Sequence, residues 1–384
     1  MDKICVIIFG YPNTIMPITH VFVRNLVWEW LDMGKDVTVI APIAVHRLKQ
    51  LKVPEAAIEK SPGGKEYKVF RPKYFPLPRT KLFFLNTQRM FFFFRLWACK
   101  RVVREYKIET DCFYGHFLSP AGICAAKLGM IHGKPAFIAS GEGPPDWSTK
   151  EHTRIFLDSL FPYVSGVVAV SSAIKDYLVQ SMFFAAQSIC ILPNGANTER
   201  FCPRDKGVAR EMLGFSKDKF IAAFVGRFTE KKGICELNEA ILQLDDAYAI
   251  CAGVGPLIPS GKNILYNKVV LPENMPFFLN AADVFVLPTK LEACSNAIME
   301  ALASGLPIIT SNLQSNYAIL DETCAVFIDP NSVDEIRDAI LTLKDNPELR
   351  ERLARGSLEK SKEFSITKRA KNILEFMDRM VAEE

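Results

Sequence analysis

Short apolar runs alternate with amphipathic segments along the whole chain. This alternation is typical of βαβ units, in which helices connect the strands of a parallel sheet. Periodicity alone does not separate runs this short from buried helix, but their flanking glycines and prolines and their regular spacing favour strands. Two such series predict an α/β fold with two doubly wound domains. The predicted strands are residues 4–9, 37–40, 112–114, 136–139, 167–170, 220–225, 249–252, 284–287, 307–310 and 325–328.

A boundary between these domains is predicted near Pro193, which is followed by an Asn-Gly turn pair. We therefore expect one domain over residues 1–192 and a second over residues 193–365. The remaining residues, 366–384, show helical spacing of apolar positions, which predicts a C-terminal helix with one apolar stripe. The stripe consists of Ile366, Ala370, Ile373, Leu374, Met377 and Val381.

Length and composition fit a folded soluble protein. The 384 residues suffice for two hydrophobic cores, and 49% hydrophobic with 23% charged residues are ordinary values. Ten cysteines are scattered without a Cys-x-x-Cys pair, which argues against zinc ribbons and dithiol redox sites. The apolar run 4–9 is too short for a secretory signal, and the run 82–99 is interrupted by charged residues. We therefore expect a cytoplasmic protein without a transmembrane segment.

The first candidate motif follows the predicted strand 220–225. Gly226 allows the backbone to turn there, and Arg227 and Lys232 come next. In open parallel sheets, ligands bind at the carboxyl ends of the strands. Arginine offers a planar fork of donors and lysine a compact charge, so the two together suit a pyrophosphate. Basic residues after a strand are more often simply solvated, so this motif alone is not specific.

The second candidate motif follows the predicted strand 284–287. A helix is predicted to begin near Ser295, a favourable cap, and to end at Gly305. Its N-terminus offers free N–H groups and a partial positive charge, which suit phosphate. Glu292 precedes the helix, where interaction with the helix dipole would also explain an acid. Glu300 lies within an otherwise apolar helix, and a buried acid needs a partner.

Together these two motifs closely resemble the retaining glycosyltransferases of family 4, which have the GT-B fold of two Rossmann-like domains facing each other across a cleft. The matching segments occur in the family's order, which makes the combination far more specific than either motif. The resemblance implies an N-terminal acceptor-side domain, a C-terminal donor-nucleotide-binding domain and a C-terminal helix that crosses back to the N-terminal domain. It rests on Val225-Gly226-Arg227, Lys232-Gly233, the turn 193–197, the segment 281–285, and Glu292 and Glu300 with the residues between them.

The resemblance also implies a role for each motif residue in transferring a sugar from a nucleotide-sugar donor. Arg227 and Lys232 would hold the donor pyrophosphate and neutralise the charge of the leaving nucleotide. Glu292 would contact hydroxyls of the donor sugar, and Glu300 would accept hydrogen bonds from the ribose. The anomeric configuration would be retained, and no cofactor or metal is expected because no Asp-x-Asp motif is present. The predicted catalytic residues are Glu292, Arg227 and Lys232, and the further donor-binding residues are Ala293, Cys294, Ser295, Asn296, Glu300 and Gly10.

The chain departs from the family's pattern in one segment. Many members carry a His-Gly pair where this sequence has Ser140-Gly141, so a histidine-assisted step does not transfer. Glu142 is a candidate for contact with the acceptor because glycines flank it, although an exposed loop acid would look the same. Gly10 matches the glycine of the family's first loop, although a plain turn would also explain it. A lone histidine such as His116 is more often structural than catalytic.

Three functions stay open from the sequence. The first is an active transferase that acts on a glycan or lipid-linked acceptor in cell-surface polysaccharide or glycolipid synthesis. The second is a sugar-nucleotide epimerase of GT-B shape, a class that resembles this chain less in the acidic motif. The third is a catalytically silent nucleotide-binding partner subunit. The joint presence of the four charged motif residues argues against the third function, and the serine at position 140 keeps it open.

Positive charge is concentrated in the first half of the chain. Residues 1–180 contain 24 Lys/Arg and 15 Asp/Glu, whereas residues 181–384 contain 23 and 28. Residues 65–107 alone contain 12 Lys/Arg and two Glu, interleaved with aromatic residues. This mixture predicts an interfacial helix on an anionic membrane rather than binding to nucleic acid. Phenylalanines in the core beneath a solvated basic face would give the same pattern. We expect peripheral binding at the cytoplasmic face of the membrane.

Overall fold

The computed structural model describes residues 1–46, 48–75, 81–82, 85–141, 154–182 and 184–383. The chain divides into two compact units, Met1–Leu192 with Ala370–Glu384, and Pro193–Arg369. Each unit is built around its own β-sheet, which is parallel apart from one strand pair in the first unit.

The first unit is organised around one large sheet. Its described strands are β1 (Lys3–Ile7), β2 (Asp36–Ile40), β3 (Ile43–Ala44), β4 (Ala56–Lys60), β5 (Glu66–Phe70), β6 (Lys73–Tyr74), β7 (Lys81–Leu82), β8 (Leu85–Asn86), β9 (Cys112–His116), β10 (Ala136–Ser140), β11 (Gly166–Ala169) and β12 (Ile189–Ile191). Eight of these pair in the order β12-β11-β10-β9-β1-β2-β5-β4. The strand order reverses beside β1, because the chain first moves outward through β2 and then returns to β9 on the other side of β1.

Helices connect the strands of the first unit. They are α1 (Val21–Asp32), α2 (Thr87–Glu105), α3 (Ile123–His132), α4 (Arg154–Asp158) and α5 (Ser172–Met182). Helix α1 shows why these segments fold onto the sheet, since its buried residues recur three and four positions apart and form one apolar face. Those residues are Val23, Leu26, Val27, Trp30 and Leu31.

The second unit has a six-stranded, fully parallel sheet. Its strands are β13 (Phe220–Val225), β14 (Ala247–Ala252), β15 (Ile264–Lys268), β16 (Val284–Leu287), β17 (Ile308–Ser311) and β18 (Ala325–Ile328). They pair in the order β15-β14-β13-β16-β17-β18. The chain moves outward from β13 to β15 and then restarts at β16 on the other side of β13. The pair β13/β16 is therefore the point where the strand order reverses, and ligands of open α/β sheets bind at such points.

One carboxylate, that of Asp283, joins two strands of the second unit. Asp283, directly before β16, accepts hydrogen bonds from the backbone N–H of Ile221 in β13 and from Arg210, both at 2.7 Å. This charged pair is almost fully buried on the arginine side and joins the amino ends of β13 and β16. It therefore fixes the register of the two strands whose carboxyl ends carry the candidate motifs.

The described part of the second unit also contains seven helices. They are α6 (Lys206–Leu213), α7 (Ile234–Leu242), α8 (Met275–Asn280), α9 (Asn296–Ala303), α10 (Gln314–Tyr317), α11 (Val333–Asp345) and α12 (Pro347–Ser361).

The last helix, α13 (Ile366–Ala382), begins in the second unit and belongs to the first from Ala370 onward. Within the first unit, the indole N–H of Trp30 donates to the carbonyl of Ala370 at 3.1 Å. The ring of Phe376 lies against Gly166, where a Cβ atom would come within 2.8 Å of it. The apolar stripe predicted for this helix is buried from Ile366 to Met377, and Val381 in its last turn is partly exposed.

The predicted α/β class with two Rossmann-like sheets is confirmed. Each of the ten predicted strands overlaps an observed strand. The strands β4, β5, β12 and β15 and the two-residue strands β3, β6, β7 and β8 were not predicted. In the parts of the chain that the structure describes, no helix is long and apolar enough to cross a bilayer.

Candidate active site

Both candidate motifs lie at the reversal point of the second sheet. The loop 226–233 follows β13 and the loop 288–295 follows β16, and these two strands are hydrogen-bonded neighbours. Two backbone contacts join the loops: the N–H of Lys290 donates to the carbonyl of Lys231 at 2.9 Å, and Gly233 lies against the carbonyl of Pro288. Gly233 has φ 67°, and a Cβ atom there would overlap that carbonyl oxygen. A glycine is therefore required for the two loops to meet.

Lys232 and Glu292 are in direct contact. Nζ of Lys232 lies 2.5 Å from Oε2 of Glu292, and the other carboxylate oxygen accepts the N–H of Ala293 at 3.2 Å. Both side chains are half-buried, with 26% and 14% exposed. A charge-assisted hydrogen bond in such surroundings is stronger than one in bulk water. The structure thus brings together two of the residues that the sequence predicted as catalytic.

Arg227 lies in the same loop as Lys232. Its two neighbours are anchored to the end of β14 and to the loop that follows it, since Gly226 donates its N–H to Ala252 and Phe228 donates to Val254. The ring of Phe228 is buried, whereas Arg227 is exposed. The guanidinium is therefore carried by a fixed stretch of backbone at the carboxyl end of β13.

The N-terminus of α9 forms the other wall of this region. Ser295 is its cap, and its hydroxyl accepts the N–H of Ile298 at 3.4 Å, as the sequence predicted. Ala293 and Cys294 are buried and Asn296 is half-buried. The first backbone N–H groups of the helix and its partial positive charge suit a phosphate group.

Glu300 lies on α9, little more than one turn beyond the cap. Desolvation raises the pKa of its carboxyl group from 4.5 to about 7, and the positive charge of Arg200 opposes this shift. The predicted need of this acid for a partner is thus met in part by Arg200, which was not predicted as a site residue.

Gly10 belongs to the first unit, in the loop after β1 where the order of that sheet reverses. It has φ 104°, and its carbonyl lies 2.7 Å from Nδ1 of His20, the residue directly before α1. His20 is itself in the left-handed region with φ 49°, and its ring packs edge-on against Phe117. A histidine at the start of a helix is a weak sequence signal, and His20 was not predicted.

The residues considered for the acceptor side lie only partly within the described chain. Ser140, which stands at the family's histidine position, is buried at the carboxyl end of β10, next to β9. His116 ends β9 and is buried as well. Glu142 lies outside the described residues, and its predicted contact with the acceptor stays a prediction.

Comparison with known protein families gives one match in each unit of the chain. The family described as "Glycosyltransferase Family 4" matches residues 19–200, and the family described as "Glycosyl transferases group 1" matches residues 205–360. The chain thus belongs to glycosyltransferase family 4, and it is a nucleotide-sugar-dependent glycosyltransferase of a retaining family.

Individual relatives are more distant. The chain is 27% identical to the putative teichuronic acid biosynthesis glycosyltransferase TuaC of Bacillus subtilis, over 88% of each chain. It is also 27% identical to the UDP-Gal:alpha-D-GlcNAc-diphosphoundecaprenol alpha-1,3-galactosyltransferase of Escherichia coli, over 64% of this chain and 70% of that protein. Sucrose-phosphate synthase from Thermosynechococcus elongatus superposes with a TM-score of 0.76 and 17% identity, over 100% of both chains. This last similarity shows the GT-B fold.

Proposed function

We propose that the protein transfers a sugar from a nucleoside-diphosphate sugar to a lipid-linked acceptor in the synthesis of a cell-surface polysaccharide or glycolipid. The donor half of this proposal rests on the contact between Lys232 and Glu292 at the β13/β16 reversal point. The acceptor half is supported by the two bacterial relatives, of which one is named for teichuronic acid biosynthesis and the other for a diphosphoundecaprenol acceptor.

The proposed chemistry divides between the two members of this contact. When the bond between the anomeric carbon and the diphosphate breaks, negative charge grows on the leaving phosphate. The ammonium of Lys232, the guanidinium of Arg227 and the first N–H groups of α9 are the groups that stabilise this charge. The carboxylate of Glu292 accepts hydrogen bonds from the sugar hydroxyls. The junction of sugar and diphosphate then lies beside the Lys232–Glu292 contact.

Glu300 completes the donor site in this proposal. Two ribose hydroxyls donate to its carboxylate, which makes Glu300 the group that recognises the nucleotide rather than the sugar. Because its pKa is about 7, the nucleotide binds best where the carboxyl group is already ionised.

Cleavage of a donor without an acceptor tests this function. The purified protein is incubated with UDP-, GDP-, ADP- and dTDP-sugars, and release of the free nucleotide and the configuration of the sugar product are measured. We expect slow cleavage of one donor class with retention, and faster nucleotide release when a diphospholipid-linked saccharide is added. An epimerised sugar nucleotide as the product, or no cleavage of any donor with or without the lipid, would contradict the proposal.

The surface of α2 supports an acceptor that resides in a membrane. Its residues Phe93 and Trp97 are 60% and 58% exposed, while Phe92 and Leu96 on the adjacent face are buried. Lys100 and Arg104 continue the outward face at helical spacing and are exposed. Aromatic side chains followed by cations on one face suit an anionic bilayer surface. Some phenylalanines of this helix are thus core residues and others face outward, and binding to an anionic membrane stays a proposal.

Removing the aromatic side chains of Phe93 and Trp97 should release the protein from anionic vesicles. For Phe93→Ser with Trp97→Ser we expect at least about tenfold weaker binding, since a buried side chain of this size contributes about 1.5 kcal/mol or more. Flotation with vesicles containing anionic phosphatidylglycerol at low salt measures the effect. Val208→Ser with Met212→Ser is the matched control, because these residues have the same spacing and similar exposure on α6 of the other unit. Equal flotation of both double variants, or none by the wild type, would exclude this surface.

A further inference from the structure

Two stretches of chain connect the units, and inside the second unit they run side by side. Residues 193–197 and 364–369, here called the linker pair, form a parallel bridge. The N–H of Ala196 donates to Phe364 at 2.9 Å, and the N–H of Ile366 donates back to Ala196 at 2.8 Å. The guanidinium of Arg369 also donates to the carbonyl of Pro193 at 2.6 Å. The linker pair is therefore one hydrogen-bonded structure.

One residue of the linker pair holds the loop before α9. The backbone N–H of Asn194 donates to Sγ of Cys294 at 3.2 Å, and its side-chain amide donates to the carbonyl of Cys294 at 3.0 Å. Cys294 is only 6% exposed, so these bonds are shielded from competing water. Two bonds from one residue to one residue fix both the position and the orientation of the loop.

The position of Cys294 makes this contact relevant to the donor site. Two residues before it lies Glu292, which pairs with Lys232, and directly after it lies the cap residue Ser295. A displacement of Cys294 therefore moves the sugar-facing carboxylate and the phosphate-facing helix end together. Catalytic groups lose much of their effect when they are displaced by about 1 Å.

We propose that Asn194 is a positioning residue, which holds the loop 292–296 in the geometry that binds the donor diphosphate and ties that geometry to the linker pair. This role rests on the proposed function of the site. Asn194 itself need not touch the donor, because it acts through Cys294. The conformation of the linker pair and the ability of the loop 292–296 to bind the donor are then linked.

The first test measures the loop itself and needs no ligand. In hydrogen exchange on the full chain, Asn194→Ala should speed exchange of the amides of residues 293–298 by about tenfold or more, because the loop loses a side-chain hydrogen bond. Asn194→Asp has the same shape but places an oxygen against the carbonyl of Cys294, and it should have the same effect. Cys294→Ser keeps an acceptor for the backbone N–H of Asn194 and should change little. Unchanged exchange in both Asn194 variants would overturn the proposal.

The second test measures binding of UDP, GDP and ADP by calorimetry. The diphosphate that the wild type binds best should bind Asn194→Ala about tenfold more weakly. Asn263→Ala is the control: Asn263 also donates its amide to two backbone carbonyls, of Leu244 and Ala247, but at the amino ends of the strands. It should lower the melting temperature and leave the affinity unchanged.

The outcomes of the two tests separate the two proposals. Equal affinity losses in the Asn194 and Asn263 variants, or wild-type affinity in Asn194→Ala, would refute positioning by Asn194. A wild type that binds none of the three diphosphates would instead refute the proposed donor site, while the exchange measurement still decides whether Asn194 holds the loop.

Discussion

Replacing Lys232 by alanine should slow sugar transfer by about 10²–10³-fold, and Arg227→Ala should do the same. Each change removes one preorganised group that stabilises charge on the leaving diphosphate, and such losses have this size in other enzymes. Lys232→Ala also leaves the half-buried carboxylate of Glu292 without its ion-pair partner. Both kcat and kcat/KM should fall, since the stabilised charge develops mainly in the transition state.

Initial rates of nucleotide release over a range of donor concentrations measure this effect. Lys262→Ala is the control, because Lys262, just before β15, is an exposed lysine of the same unit that pairs with Asp245, away from the motif loops. Its rates should equal those of the wild type. Wild-type turnover in a double variant lacking both Arg227 and Lys232 would leave the proposed chemistry without support.

Glu300→Gln should weaken nucleoside diphosphate binding by about 10²-fold at pH 8 and remove its pH dependence. Two hydrogen bonds to a charged carboxylate contribute about 1.5–3 kcal/mol each. In the wild type the pKa of Glu300 is about 7, so the carboxyl group is protonated at lower pH and must lose its proton before the ribose can bind. The wild-type affinity should therefore fall about tenfold per pH unit below pH 7 and level off above it.

Calorimetric titrations from pH 5.5 to 8.5 give this profile, and repeating them in buffers with different ionisation enthalpies counts the protons released. Stability gives an independent check. A carboxyl group with a raised pKa binds more protons in the folded than in the unfolded state, so its contribution to stability falls as the pH rises from 4.5 to 7. Glu300→Gln should lack this fall. A wild-type affinity that does not change between pH 5.5 and 8 would contradict the role of Glu300.

The strands predicted from the sequence are those with continuous apolar runs. Strand β13, for example, reads Phe-Ile-Ala-Ala-Phe-Val and is largely buried, as strands covered on both faces must be. Strands β4 and β15 escaped prediction because they are edge strands whose side chains are all at least partly exposed. Their sequences, Ala-Ala-Ile-Glu-Lys and Ile-Leu-Tyr-Asn-Lys, are too polar to stand out against loops.

The site was predictable where a motif is local, and less so where it is assembled by topology. Ser295 as a helix cap and Gly226 as a turn residue could be inferred from their own neighbours in the chain. The contact of Lys232 with Glu292 joins residues 60 positions apart, and only the adjacency of β13 and β16 brings them together. Asn194 was predicted only as part of a turn. No spacing rule connects it with Cys294, 100 positions away.

Hydrogen exchange with and without bound nucleotide tests whether the donor binds at the reversal point of the second sheet. The full chain is measured alone and with saturating UDP, GDP and ADP in turn. The diphosphate that binds should protect residues 226–233 and 292–300, and this protection should disappear in Lys232→Ala and Glu300→Gln. Protection confined to other strand ends of the second unit, or equal protection in these variants and the wild type, would contradict donor binding at the reversal point.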